Sequence, residues 1–132
     1  MMHDRTLTKF LASLLLGTAC LATFAGCEKS AQDLSLDSAA AHSAFQTFLE
    51  AWRDGKTPEQ LREGNPPIIT RDPDWAAGHK LTAFQVAPEE SNDGTNLHLT
   101  ADLELTDPQG RKNKQRVTYI VGTDPQVTIF RE

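Results

Sequence analysis

Phe45, Phe48, Leu49 and Trp52 fall at i, i+3, i+4 and i+7, the spacing that lines one face of an α-helix. Ser38 opens this pattern. Ala39, Ala40, Ala41 and Ala44 add helix propensity, and Asp54-Gly55 supplies a C-terminal stop. Thr57-Pro58-Glu59-Gln60 then has the make-up of a capping box with proline at the first helical position. It predicts a short second helix ending near Gly64. Asn65-Pro66-Pro67 ends the helical character.

After Pro67 the period changes from helical to extended. Ile68-Ile69-Thr70 reads as a short extended piece, followed by the polar loop Arg71-Asp72-Pro73-Asp74 and a possible turn at Trp75-Ala76-Ala77-Gly78. Four strands are expected beyond it, over 80–87, 96–106, 116–121 and 126–131. The second is the clearest: Leu97, Leu99, Ala101, Leu103 and Leu105 point one way, His98, Thr100, Asp102 and Glu104 the other. Strict alternation means one buried and one wet face, the mark of an antiparallel sheet. The connectors Asn92-Asp93-Gly94, Asp107-Pro108-Gln109-Gly110 and Gly122-Thr123-Asp124-Pro125 are rich in turn residues, so neighbouring strands pair as hairpins. The expected fold class is therefore α+β. A long amphipathic helix, with a short second one, lies across a four-stranded antiparallel meander.

The segment Phe48-Leu49-Glu50-Ala51-Trp52-Arg53-Asp54-Gly55-Lys56 and the short helix after it resemble the opening of NTF2-like domains. Those domains carry a third helix, and nothing between Pro67 and Lys80 reads as one. The resemblance over residues 38–131 therefore implies a reduced, cystatin-like version. It also implies an alternative function, a small-ligand binder or enzyme with a pocket between helix and sheet.

The start of the chain has a different character. Arg5 and Lys9 outweigh Asp4, and residues 10–24 are apolar apart from Ser13, Gly17, Thr18, Cys20 and Thr23. That length suits the core of a signal peptide and falls short of the roughly 20 residues a spanning helix needs. The run ends at Phe24-Ala25-Gly26-Cys27. This resembles the lipobox of bacterial lipoproteins, with Phe24 where the family prefers leucine; Gly17-Thr18-Ala19-Cys20 is a poorer match. The resemblance implies cleavage between Gly26 and Cys27, a diacylglycerol thioether on Cys27, and a further acyl chain on the new amino terminus. Two or more chains give stable anchoring where one does not. The alternative for Cys27, a disulfide to Cys20, fails if Cys20 is removed with the signal. Glu28 is not the Asp that resembles an inner-membrane retention signal, which favours the outer membrane of a bacterial envelope. Residues 1–26 are thus read as signal, 27–37 as lipidated cysteine and polar tether, and 38–132 as one domain. Ten extended residues reach at most about 35 Å, so the domain stays near its membrane.

Charge narrows the partners. The chain has 13 Lys and Arg against 18 Asp and Glu, a net charge of −5, and losing the first 26 residues makes it more acidic. That balance excludes nucleic acid and electrostatic docking on anionic lipid. The remaining partners are membrane lipid through acylated Cys27 and an unidentified envelope protein.

Candidate chemistry is sparse. Asp72, Asp74 and His79 have metal-ligand chemistry, but structural metal sites want about four ligands, so they read as turn and cap residues and no metal or cofactor is expected. His98 and Asp102 share a strand face and suggest an acid–base pair; the ordinary reading is a solvated face. His42 carries no signal. Trp52 completes the apolar stripe and belongs to the core. Trp75 is read first as packing, with partner binding as the alternative. Arg111, Lys112 and Lys114, in the basic run 111–116, are an exposed hairpin entry where lysines discourage edge pairing, or a dock for an acidic partner such as peptidoglycan carboxylates or lipid headgroups. No catalytic residues are assigned. The reading is a non-catalytic binding or assembly module.

Overall fold

The computed structural model describes residues 35–132. Cys20, Gly26, Cys27 and the tether through residue 34 lie outside the described residues. The elements are α1 (Ser38–Arg53), α2 (Pro58–Arg62), β1 (Ile68–Arg71), α3 (Pro73–Ala76), β2 (Lys80–Asn92), β3 (Leu97–Thr106), β4 (Lys112–Gly122) and β5 (Val127–Arg131). They form an α+β fold with a single sheet in the order β1-β5-β4-β3-β2.

Local chemistry sets the helix ends. The Asp37 carboxylate accepts from the Ala40 N–H at 2.9 Å, closing one of the donors a helix start leaves open. At the other end Gly55 takes φ +81°, the left-handed conformation that stops a helix cheaply. The expected capping box is present in α2: Thr57 and Gln60 satisfy each other's backbone N–H.

The sheet differs from the sequence expectation in one respect that matters. It has five strands and is mixed, not four and antiparallel. Ile68–Arg71 is a true strand that runs parallel to β5, with Ile68 opposite Val127 and Arg71 opposite Phe130. Four residues are too few to show a period, and their partner lies at the far end of the chain. The strands β2 to β5 do form the expected antiparallel meander. Two of them are longer than expected. β2 continues past Pro88 because a register shift between Val86 and Glu90 accommodates the missing N–H. β4 begins at Lys112 because Lys112, Lys114 and Arg116 stand opposite Thr106, Glu104 and Asp102 on the wet face. Where the sequence offered no third helix and only a turn at 75–78, the structure holds a one-turn helix, α3, starting two residues earlier at Pro73. Asp72 caps it, accepting from the N–H groups of Asp74 and Trp75 at 2.8 and 3.1 Å.

All the helical cover lies on one face. Phe45, Phe48, Leu49 and Trp52 are no more than 2% exposed, and they press on Leu99, Ala101, Leu103, Tyr119 and Val121. The seam is aromatic. Trp52 and Trp75 stack with centroids 5.4 Å apart, and Phe48 meets Trp75 at 5.6 Å and Tyr119 at 5.2 Å edge-on. Trp52 donates its indole N–H to the His79 carbonyl at 2.8 Å, so the large ring is buried without leaving a polar atom unpaired.

Phe48 meets four aromatic rings, Phe45, Trp52, Trp75 and Tyr119, and is fully buried. Phe48→Ala is expected to cost about 3–5 kcal/mol of stability. Urea unfolding with an unchanged slope would show it; a loss below about 1 kcal/mol would mean that the seam is loosely packed.

Candidate functional site

The densest polar constellation surrounds Asp72, at the junction of β1 and α3. Its side chain is fully buried, and both oxygens are occupied. Oδ1 caps α3. Oδ2 accepts the Tyr119 hydroxyl at 2.6 Å and faces the Arg131 Nη2 at 2.8 Å and Nε at 3.1 Å. Arg131 also donates to Asp74 Oδ2 at 2.9 Å, which takes Gln115 Nε2 at 3.1 Å. The Arg131 guanidinium lies 5.9 Å over the Tyr119 ring. β5 supplies Arg131, β4 supplies Tyr119 and Gln115, and the β1–α3 corner supplies both aspartates.

Electrostatics keeps the Tyr119 hydroxyl protonated and the Arg131 guanidinium charged. Burial, then the neighbouring Asp72 carboxylate, pushes the Tyr119 hydroxyl far above its ordinary value, so it remains a donor. Burial opposes the Arg131 charge. The hydrogen bond to Tyr119 and the Asp72 carboxylate outweigh that, holding its pKa above the usual arginine value. With the hydroxyl and cap N–H groups donating to Asp72, and the guanidinium shared between Asp72 and Asp74, the arrangement is a clasp between elements.

Asp72, Asp74 and His79, which have metal-ligand chemistry and read from the sequence as turn and cap residues, do not converge on one point. His79 Nδ1 is 3.8 Å from Asp74 Oδ1, too long for a hydrogen bond, and that nitrogen is buried without a partner. Among the described residues no group of three or more His, Cys, Asp and Glu side chains is placed to hold a metal ion. Trp75 is buried in the aromatic seam. It is placed as packing and offers a partner no open face.

His98 and Asp102 share the wet face, but the structure does not pair them. Asp102 is held by Arg116, at 2.9 and 3.3 Å. His98 Nε2 instead meets Asp93 Oδ2 at 2.8 Å, with Nδ1 3.5 Å from Glu132. Sequence reasoning missed Asp93 because it counted only as a turn residue. Its signal was its position across a tight turn from His98. The Asp93 hydrogen bond raises the His98 pKa first, with the Asp93 and Glu132 charges adding. The same bond, with the Asn96 and Thr95 N–H groups, holds Asp93 well below the carboxylate range.

The uncovered face carries acid–base rungs across β3 and β4: Arg116 with Asp102, and Lys114 with Glu104 at 3.3 Å. Arg111, 78% exposed, meets Asp107 at 2.7 Å in the adjoining turn. A shallow hollow of about 450 Å³ lies among Ala83, Gln85, Asp102, Glu104, Lys114 and Arg116. Lys112 is exposed beside it and has no ion-pair partner among the described residues. At the other end, where the chain enters α1, acidic side chains predominate. Asp37 donates its N–H to Thr123 in the β4–β5 turn, next to Asp124. Glu89, Glu90 and Asp93 belong to the neighbouring hairpin. The ion-pair partners at this end are histidines, His42 with Glu90 at 2.9 Å and His98 with Asp93. A second hollow, about 430 Å³, separates α1 from α2 over Ala44, Leu61, Ile68 and Val127.

Comparison with protein-family models, with curated proteins and with solved structures gives no match.

Two outcomes are expected from this geometry. Arg131→Met, which leaves Asp72 buried without its cation, should cost about 3–5 kcal/mol; Asp72→Asn in the same chain should recover part of it in a double-mutant cycle of chemical unfolding. The raised His98 pKa contributes stability that is complete below about pH 6.5 and is lost as pH rises through the folded value. The melting temperature of the wild type, measured against His98→Asn, should fall across that window; parallel curves would mean that the Asp93 contact contributes nothing.

Proposed function

We propose that this protein is an acylated component of a bacterial cell envelope, held by lipid on Cys27, whose reduced cystatin-like or NTF2-like domain is a non-catalytic binding or assembly module. The lipobox-like Phe24-Ala25-Gly26-Cys27 supports the anchor. The filled seam between α1 and the sheet supports binding over catalysis, because an enzyme of this layout needs convergent titratable groups inside a pocket there. In that position are Phe45, Phe48, Leu49 and Trp52.

The observation that carries the reading is the charge separation along the strands. The end that receives the tether bears Asp37, Glu89, Glu90, Asp93 and Asp124, with histidines as its ion-pair partners. The β3–β4 hairpin at the other end bears Arg111 and Lys114, paired with Asp107 and Glu104, and Lys112, which has no ion-pair partner among the described residues. An anionic membrane surface repels the first end over about one Debye length. The domain then stands off its membrane and offers the basic corner outward, to an acidic envelope partner.

Mass spectrometry of the protein from membranes is expected to find a diacylated or triacylated Cys27 as the first residue, and Cys27→Ala should move the protein to the soluble fraction. Capture from detergent-solubilised membranes should return a partner with the wild type and lose it with Lys112→Glu/Lys114→Glu. An unmodified Cys27 overturns the anchor, and a partner retained by the double variant overturns the basic corner.

A further inference from the structure

We propose that the outer edge of β1 is a docking site for an extended, acidic segment of a partner protein, which adds to the five-stranded sheet as a further strand. β1 lies at one margin of the sheet and pairs only with β5, so its other side carries main-chain donors and acceptors that no described strand uses. The opposite margin, β2, is interrupted by Pro88 and two register shifts. β1 has neither device. Ile68, Ile69 and Thr70 are β-branched, and the register with β5 runs unbroken from Ile68 to Arg71. One margin is thus guarded against pairing and the other is left open.

The side chains beside this edge select the segment. Ile68, Thr70, Val127 and Ile129 are buried under the helices, which leaves Ile69, Arg71, Thr128 and Phe130 on the uncovered face. Arg71 and Phe130 are register partners there, and Ile120 stands next to Phe130 in β4. Phe130, 40% exposed, is the one large apolar side chain in the exposed class among the described residues. A lone exposed ring is ordinary, but this one walls a hollow of about 480 Å³ shared with Arg71, Pro73, Ala76 and Glu132. The charges around the hollow are unequally matched. Arg131 is committed to Asp72 and Asp74, and Glu132 lies 3.5 Å from His98. Arg71 is exposed and has no ion-pair partner among the described residues. The charge left over at this edge is therefore positive, on a chain whose net charge is −5.

Residues two apart in an added strand share a face. An apolar residue beside Ile69 and a carboxylate beside Arg71 satisfy both at once, and the ring of Phe130 covers the apolar one. Main-chain hydrogen bonds hold such a segment, and the side-chain hollow chooses it. β1 has only four residues, so the choice made by Arg71 and Phe130 matters more than the ladder. The site is separate from the basic corner at Lys112 and Lys114, since β5 stands between β1 and β4. It depends on neither that corner nor the lipid anchor.

The full chain, kept in detergent, is titrated into a fluorescent, end-blocked peptide of alternating valine and threonine with one central aspartate, and into the same peptide with lysine in that place. Anisotropy reads binding, and amide hydrogen exchange reads where the peptide lies. The aspartate peptide is expected to bind about fivefold more tightly than the lysine peptide and to slow exchange in residues 68–71. Arg71→Glu should reverse that order. Phe130→Thr should weaken both peptides and keep the order, with a melting temperature close to that of the wild type because both positions are at the surface. No binding of the aspartate peptide at about 1 mM, an order unchanged in Arg71→Glu, or protection confined to residues 111–116 overturns the proposal. A dimer of the chain in sedimentation that Phe130→Thr abolishes would also overturn it, by giving the edge to a second copy. An unlipidated Cys27 would sink the envelope reading and leave these measurements intact.

Discussion

A carboxylate sealed from water must be matched by a cation and by donors for its lone pairs, and that requirement at Asp72 organises the rest of the domain. Among the described residues Asp72 is the only charged side chain in the buried class. Removing an ion from water costs several kcal/mol even after relaxation, a large share of the 5–15 kcal/mol that stabilises a typical domain. Arg131 supplies the cation, and its position sets where β5 stops. The register of β5 in turn sets that of β1, with Thr70 opposite Ile129. On its other oxygen Asp72 caps α3, which places Trp75 flat against Trp52. One carboxylate thus fixes the order of the sheet edge and the seat of the long helix.

Such a pair specifies geometry more than it adds stability, since well-packed apolar groups would often do as well energetically. The surroundings fit that role. Tyr119 is fully buried and serves both sides: its ring packs against Phe45 and Phe48, and its hydroxyl donates to Asp72. The aromatic seam and the polar clasp are therefore one unit. A shift of α1 along the sheet would disturb the ring contacts and the hydroxyl together.

What could be read from the sequence follows the range over which each signal acts. The stripe Phe45, Phe48, Leu49 and Trp52 and the alternation of Leu97 to Leu105 are local periods, and both elements formed where expected. Asp72 was legible as a cap, because its partners Asp74 and Trp75 are adjacent. Its second role was not, because Tyr119 and Arg131 lie 47 and 59 residues away. β1 was read as extended but not as a strand of the sheet, since a parallel neighbour has no turn to announce it. His98 shows the limit within one face. Periodicity put it beside Asp102, but the nearer turn carboxylate Asp93 took the imidazole, and Arg116 took Asp102.

The two faces and two ends of the sheet end up with different jobs. Helices fill one face, and the opposite face keeps its charges in cross-strand rungs that water and salt screen at little cost. The β2 edge is blunted by Pro88 and two register shifts, devices that keep an open strand from pairing with another chain. Arginine and lysine as a class hold their charge across the physiological range. Histidine is the side chain that changes charge there, and His98 sits among the carboxylates of the end where α1 begins, with its pKa raised by Asp93. That end therefore becomes less negative as pH falls through the raised His98 value.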